Sequence, residues 1–176
     1  IGILVYGGPT MRTRGDDIAE IYYLMGLKPV WAKGSGNVSG LEVIPLSELK
    51  RPRLDVVPRV SGFFRDAFPN LMERLDEAVC IVAALKEPPD SNLVRRNVYK
   101  DLEKYRQDGL DEEEAYREAT FRVFGCPPGT YGAGVAELVE SKNWETQEDL
   151  GNNYIRYSSH AYGQGSYGKQ KPTAYR

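Results

Sequence analysis

Two regimes of hydrophobic patterning divide this chain. Over the first 60 or so residues, short apolar runs alternate with turns and one helical stretch. Beyond them apolar positions fall at helical spacing. Ile1 to Tyr6 is a strand closed by Gly7-Gly8-Pro9. Met11 to Gly15 reads as a basic loop. Asp16 or Asp17 caps a helix with Ile18, Ile21, Tyr22, Leu24 and Met25 on its apolar side. Gly26 suits the helix end, and Pro29 forbids its continuation. Val30-Trp31 begins a second strand, Gly34 to Asn37 turns, and Leu41 to Ile44 forms a third. A single helical turn, Leu46 to Leu49, precedes a fourth strand over Leu54 to Val60. Pro58 argues for an edge or a bulge there.

From Phe64 to Ala84, apolar residues at 64, 68, 71, 72, 75, 79 and 82 predict one long helix, with Pro69 acceptable only in a first turn. Ser91 is expected to cap the next helix, which carries Val98, Leu102 and Tyr105 and ends at Gly109. Asp111 opens a third, running to about Phe124 with Glu112, Glu113 and Glu114 in its favourable first turn. Val135 to Val139 and Leu150 to about Ala161 complete the helical part. The pattern gives an α/β fold: a small, partly parallel sheet in the first part, with crossovers plausible after strands one and two, followed by a mainly helical part. Residues 1–86 form the α/β part, 87–162 the helical part, and 163–176 an irregular Gly/Tyr/Lys tail.

The 176 residues suffice for one core, and a net charge of −2 provides no broad basic surface for nucleic acid. No run is long and apolar enough for a membrane span, and no signal peptide is recognisable. Two cysteines and one histidine make neither a disulfide framework nor an evident zinc site, so a reduced, cytoplasmic setting is expected. The chain starts inside a strand without Met and is read as a piece of something longer.

Three clusters stand out: the first two sit where α/β folds place ligands, and the third reads by default as a structural turn, or as a loop beneath a flat ligand. In the first, Arg12 and Arg14 suit carboxylates, and Asp16 and Asp17 suit a helix start or a cation; a capped helix beside a salt-bridged loop is the plainer alternative. In the second, Arg59, Ser61, Phe63, Arg65 and Asp66 surround a strand-to-helix junction, where Phe63 either stacks on a flat ligand or joins the core. The third is the Gly/Pro-rich loop Phe124 to Val135, with Gly129 and Tyr131. It matches neither the dinucleotide fingerprint nor a phosphate loop. His160, the lone histidine, is either structural or a metal or proton ligand. The late enrichment in tyrosine suits an inter-domain surface.

These clusters also carry a resemblance. Thr13-Arg14-Gly15-Asp16-Asp17-Ile18-Ala19-Glu20, Gly40-Leu41-Glu42-Val43-Ile44-Pro45-Leu46, Arg59-Val60-Ser61-Gly62-Phe63-Phe64-Arg65-Asp66-Ala67-Phe68-Pro69 and Pro128-Gly129-Thr130-Tyr131-Gly132-Ala133-Gly134 follow one another in order. Together with Ala161-Tyr162-Gly163, they resemble the large subunit of the cobaltochelatase/magnesium-chelatase family, CobN-like or H-type. The resemblance implies a fragment from the C-terminal half of a tetrapyrrole-binding subunit, with Co2+ or Mg2+ as the inserted metal. It further implies partners: the remainder of the large subunit, and AAA+ and integrin-like subunits that use ATP. The Pro128 to Gly132 and Ala161 to Gly163 blocks lean toward the cobalt branch. Within the resemblance, Arg12, Arg14, Arg59, Ser61, Phe63, Arg65, Gly129 and Tyr131 are the expected tetrapyrrole contacts, and Asp16, Asp17, Asp66 and His160 the candidates for metal or proton. No set of metal ligands is assigned. The rival is a non-catalytic α/β ligand-binding or protein-interaction module, and a nucleotide-dependent transferase would need phosphate contacts at the glycine loop. The discriminating geometry is whether the Arg12–Asp17 and Arg59–Asp66 segments meet at one sheet edge beside Gly129–Gly134.

Overall fold

A computed structural model describes residues 1–175. Strand β1 (Gly2–Val5) leads directly into helix α1 (Gly7–Thr13), where a basic loop was expected. Pro9 is compatible with that helix because its missing N–H falls among the first four donors, which have no intrahelical acceptor. The Thr10 amide closes the turn by donating to the Tyr6 carbonyl at 3.1 Å, and its hydroxyl donates to the Asp17 carboxylate at 2.5 Å. Helix α2 (Asp16–Met25) is capped by Gly15 rather than by an aspartate, so both carboxylates lie in its first turn. Gly26, with φ 77°, ends it as expected.

Strands β2 (Leu27–Trp31) and β3 (Val38–Val43) form a separate antiparallel pair. The crossover expected after the second strand is therefore a hairpin. The short helix α3 (Leu46–Leu49) precedes β4 (Val57–Val60), which pairs in parallel with β1 on one side and β5 (Phe124–Gly125) on the other. Pro58 thus occupies an interior strand, against expectation. The Val57 and Ser61 amides donate to β1, so the amide position of Pro58 faces β5, whose pairing starts only at Arg59. No ladder bond is lost.

The long helix is two: α4 (Gly62–Ala67) and α5 (Pro69–Ala84), broken at Phe68, with Pro69 opening the second. Asn92, not Ser91, caps α6 (Leu93–Gln107) by accepting from the Arg95 amide. Asp111 caps α7 (Glu112–Thr120), which ends before β5. Helix α8 (Val135–Glu140) follows the glycine-rich loop, and α9 (Gln147–Ser158) starts in a Thr146–Asp149 capping box. The expected helical end at Ala161 and the expected irregular tail are instead a hairpin, β6 (His160–Gly163) and β7 (Ser166–Gln170), followed by α10 (Pro172–Tyr175). A two-residue Gln164-Gly165 connection, with Gly165 at φ 73°, supplies the turn. The main sheet runs β1-β4-β5-β6-β7, its first three strands parallel and the rest antiparallel.

One face of this sheet buries Val5, Val60, Val123 and Tyr162 against α2, α5, α6 and α7. That apolar cluster joins residues from both halves of the sequence. The other face sets Phe121, Phe124 and Ala161 against Tyr175, whose ring meets Phe124 edge-on at 5.2 Å. No helix among the described residues is long and apolar enough to cross a membrane.

Candidate functional site

The register places Val5, Val60, Gly125 and His160 in one row across the sheet. The segments leaving the parallel strands β1, β4 and β5 therefore emerge along one edge, the usual ligand side of an open α/β sheet. Ser61 knits two of them. Its hydroxyl accepts from the Phe64 amide at 3.1 Å, capping α4, and from the Gly7 amide at 3.3 Å, fixing the start of α1. Close approach then demands glycine at two points. A Cβ on Gly7 would lie 2.6 Å from the Phe63 ring, and one on Gly62 would lie 2.5 Å from the Thr130 carbonyl oxygen.

Between these segments opens a cleft of about 480 Å³, lined by Tyr6 to Pro9, Ser61 to Phe63, Tyr131 and Gly132. Its walls are largely apolar, with the rings of Tyr6, Phe63 and Tyr131 at least 47% exposed. Ser61 and Phe63, at the strand-to-helix junction read from the sequence, and Tyr131, from the glycine-rich loop, all line this cleft. The β1 contribution comes from Tyr6 to Pro9, directly after the strand, and not from Arg12–Asp17. That contribution was missed, although Gly7-Gly8-Pro9 directly after a strand was its visible signal.

Arg65, only 1% exposed, sits behind the cleft. It donates bidentately to Asp66, from Nε at 2.7 Å and Nη2 at 3.0 Å, and to the carbonyls of Pro127 at 2.8 Å and Thr130 at 3.2 Å. All three of its nitrogens are occupied, Nε by Asp66 and both terminal nitrogens by carbonyls of the glycine-rich loop. Asp66 also accepts from the Tyr131 hydroxyl at 2.8 Å, so the clamp reaches into the cleft wall. The Arg65 guanidinium holds the Asp66 carboxyl below the usual carboxylate range, and Asp66 in turn raises the Tyr131 phenol. Arg59, also buried, grips the loop from the other side: Nη2 donates to the Gly132 carbonyl at 2.6 Å, and Nε faces Ser158 Oγ at 3.4 Å. Beneath the loop, the Tyr162 hydroxyl donates to the Cys126 carbonyl at 2.5 Å, and burial pushes its phenol up to about 12.

The remaining expected residues lie apart from the cleft lining. Gly129, at φ 75°, is at an exposed turn of the loop. Arg12 and Arg14, near the C-terminal end of α1, are exposed, and their guanidinium groups make no hydrogen bond or ion pair among the described residues. Asp16 is exposed, and Asp17 is tied to Thr10. His160 shares the edge row, with Nδ1 3.1 Å from the Tyr157 carbonyl, so a hydrogen bond there requires the proton on Nδ1. Among the described residues no three His, Cys, Asp or Glu side chains gather as they would around a metal ion.

Comparison with known proteins assigns this arrangement to a family. Residues 1–176 match the family described as CobN/Magnesium Chelatase. The aerobic cobaltochelatase subunit CobN of Pseudomonas aeruginosa is 46% identical over 163 residues, which are 93% of this chain and 13% of that protein. The H subunit of the magnesium chelatase of Chlorobaculum parvum is 36% identical over 97% of this chain and 13% of its own length. The solved catalytic subunit of cobaltochelatase from Mycobacterium tuberculosis superposes with a TM-score of 0.90 at 43% identity, covering 98% of this chain and 14% of that one. The chain thus spans about a seventh of these relatives. It belongs to the CobN/magnesium chelatase family.

Proposed function

We propose that the chain is part of the tetrapyrrole-binding large subunit of an ATP-dependent metal chelatase that inserts cobalt, or alternatively magnesium, into a corrinoid or porphyrin ring. ATP is hydrolysed in AAA+ and integrin-like partner subunits. The observation that carries this reading is the open apolar cleft at the carboxyl ends of β1, β4 and β5, in a chain of this family. Cobalt is favoured because the cobaltochelatase relatives are 43–46% identical and the bacterial magnesium-chelatase relatives 36%.

Insertion exchanges two pyrrole N–H protons for one divalent cation, so the site must hold a flat ring and accept two protons. Tyr6, Phe63 and Tyr131 offer ring faces to the macrocycle. Arg12 and Arg14, whose guanidinium groups have no partner among the described residues, suit its peripheral carboxylates, whereas Arg59 and Arg65 act as positioning residues that hold Tyr131 and Gly132 in place. Gly129 shapes the turn of that loop. Asp66 and His160, and at greater remove Asp16 and Asp17, are the candidates for receiving protons or touching the incoming metal.

The test is fluorescence quenching of the full-length subunit by hydrogenobyrinic acid diamide and, separately, by protoporphyrin. Binding of the corrinoid that weakens about tenfold in Phe63→Ala supports the reading, a loss on the scale of one aromatic contact. Binding of neither macrocycle by the full-length protein sinks the substrate assignment.

A further inference from the structure

Strand β1 ends the main sheet, with β4 as its only neighbour among the described residues. The carbonyls of Ile1 and Val5 accept from β4, at Val57 and Ser61. Successive residues of a strand turn their backbone groups to opposite sides, so the N–H and C=O of Gly2 and Leu4 point outward. Shortness is the one usual protection of this edge: no lysine, proline or bulge interrupts Gly2–Val5, and no element among the described residues pairs with its outer side. Its second face is bare as well. Leu4 is in register with Arg59, whose side chain reaches Ser158 on α9, but the cover stops there, leaving Leu4 55% and Ile1 60% exposed. Parallel sheets are ordinarily covered on both faces. An apolar, hydrogen-bond-ready edge of this kind fits a permanent neighbour.

We propose that the outer edge of β1 is completed by a β-strand from elsewhere in the same large subunit, paired with Gly2 and Leu4 and placing apolar side chains beside Leu4. The relatives supply the length: this chain matches only 13–14% of each, leaving ample chain to provide the strand. A second copy of the subunit is the other candidate occupant. It is disfavoured because a two-fold pairing of a four-residue edge buries far less surface than a stable dimer needs. The proposal goes beyond the chelatase reading and does not depend on it.

The experiment uses the full-length subunit with p-benzoylphenylalanine in place of Leu4, together with site-resolved amide exchange of the unmodified protein. The expected cross-link is intramolecular, to a segment outside residues 1–176, and the Leu4 amide exchanges roughly 100-fold slower than a freely exposed one. A covalent dimer overturns the proposal in favour of self-association. Cross-links confined to residues 1–176, or a Leu4 amide exchanging at the free rate, overturn it in favour of a bare edge. Neither readout involves tetrapyrrole binding, so failure here and failure of the functional reading are separate results.

Discussion

Arg53 and Arg65 are buried to the same extent, at 0% and 1% exposure, and each pairs bidentately with a carboxylate while capturing backbone carbonyls. They serve different parts of the molecule. Arg53 donates to Glu87 at 2.7 and 2.9 Å, to Gly26 at 2.7 Å and to Ile44 at 2.8 Å. It thereby joins the end of α2, the root of the β2–β3 hairpin and the link between α5 and α6. Asn92 adds a hydrogen bond to the same Glu87. All of those partners are scaffold. Arg65 holds instead the Pro127–Thr130 turn, and its carboxylate partner is 38% exposed and bonded to a ring in the cleft. The same guanidinium chemistry thus makes a rigid joint at one place and a shaped wall at the other. The difference lies in what the carboxylate touches next.

Stability should separate the two first. Arg53→Ala strands the largely buried Glu87 and at least two carbonyls, and is expected to cost about 3–5 kcal/mol in urea denaturation. A loss below about 1 kcal/mol would show that the joint relaxes and that the comparison is misdrawn. Gly26→Ala attacks the same joint from the backbone, since φ is 77° and a Cβ would lie 2.2 Å from Arg53 Nη1. A cost of about 2 kcal/mol is expected by thermal melting.

For Arg65→Lys the signature is different. Lysine keeps the charge but cannot reproduce the forked contacts to Asp66, Pro127 and Thr130. Stability should fall by about 1–2 kcal/mol, while macrocycle affinity in the full-length subunit falls about tenfold or more. A purely structural role would lower stability alone. Tyr131→Phe, which removes only the link to Asp66, should leave the melting temperature unchanged and weaken binding by no more than about threefold.

Local rules carried the sequence reading far where neighbours in the chain decide the outcome. Gly26 as a helix end and Asp111 as a cap both follow from residues within one turn, and Pro69 marked the break in the helix expected from Phe64 to Ala84. The reading failed where distant pairing decides. Pro58 is tolerated inside the sheet only because β5 is two residues long, and residues 166–170 form a strand only because β6 is there to pair with. The site divides along the same line. The edge location of Ser61 and Phe63 was legible because both follow a predicted strand, whereas that of Tyr131 was not, because β5 lies where a helix end and a turn were expected. That Arg59 and Arg65 turn inward was not, because the carbonyls they meet lie more than 60 positions away.

The smallest expected effect is on pH dependence, and it bears on Asp66 rather than on either arginine. Arg65 first, then Tyr131, lowers the Asp66 carboxyl below its ordinary value, with desolvation opposing. A depressed carboxyl contributes stability that is fully present above the unfolded-state value, about 4, and is lost as pH falls through the lower folded-state value. Between pH 5 and 8 the clamp should therefore be constant. The stability difference between wild type and Asp66→Asn should be flat over that range and should shrink only below about pH 4. The exposure of this carboxylate keeps the whole effect small. A difference that instead shrinks above pH 5 would indicate that a group other than Asp66 governs the loop. The contrast between scaffold joint and cleft wall would then need a third participant.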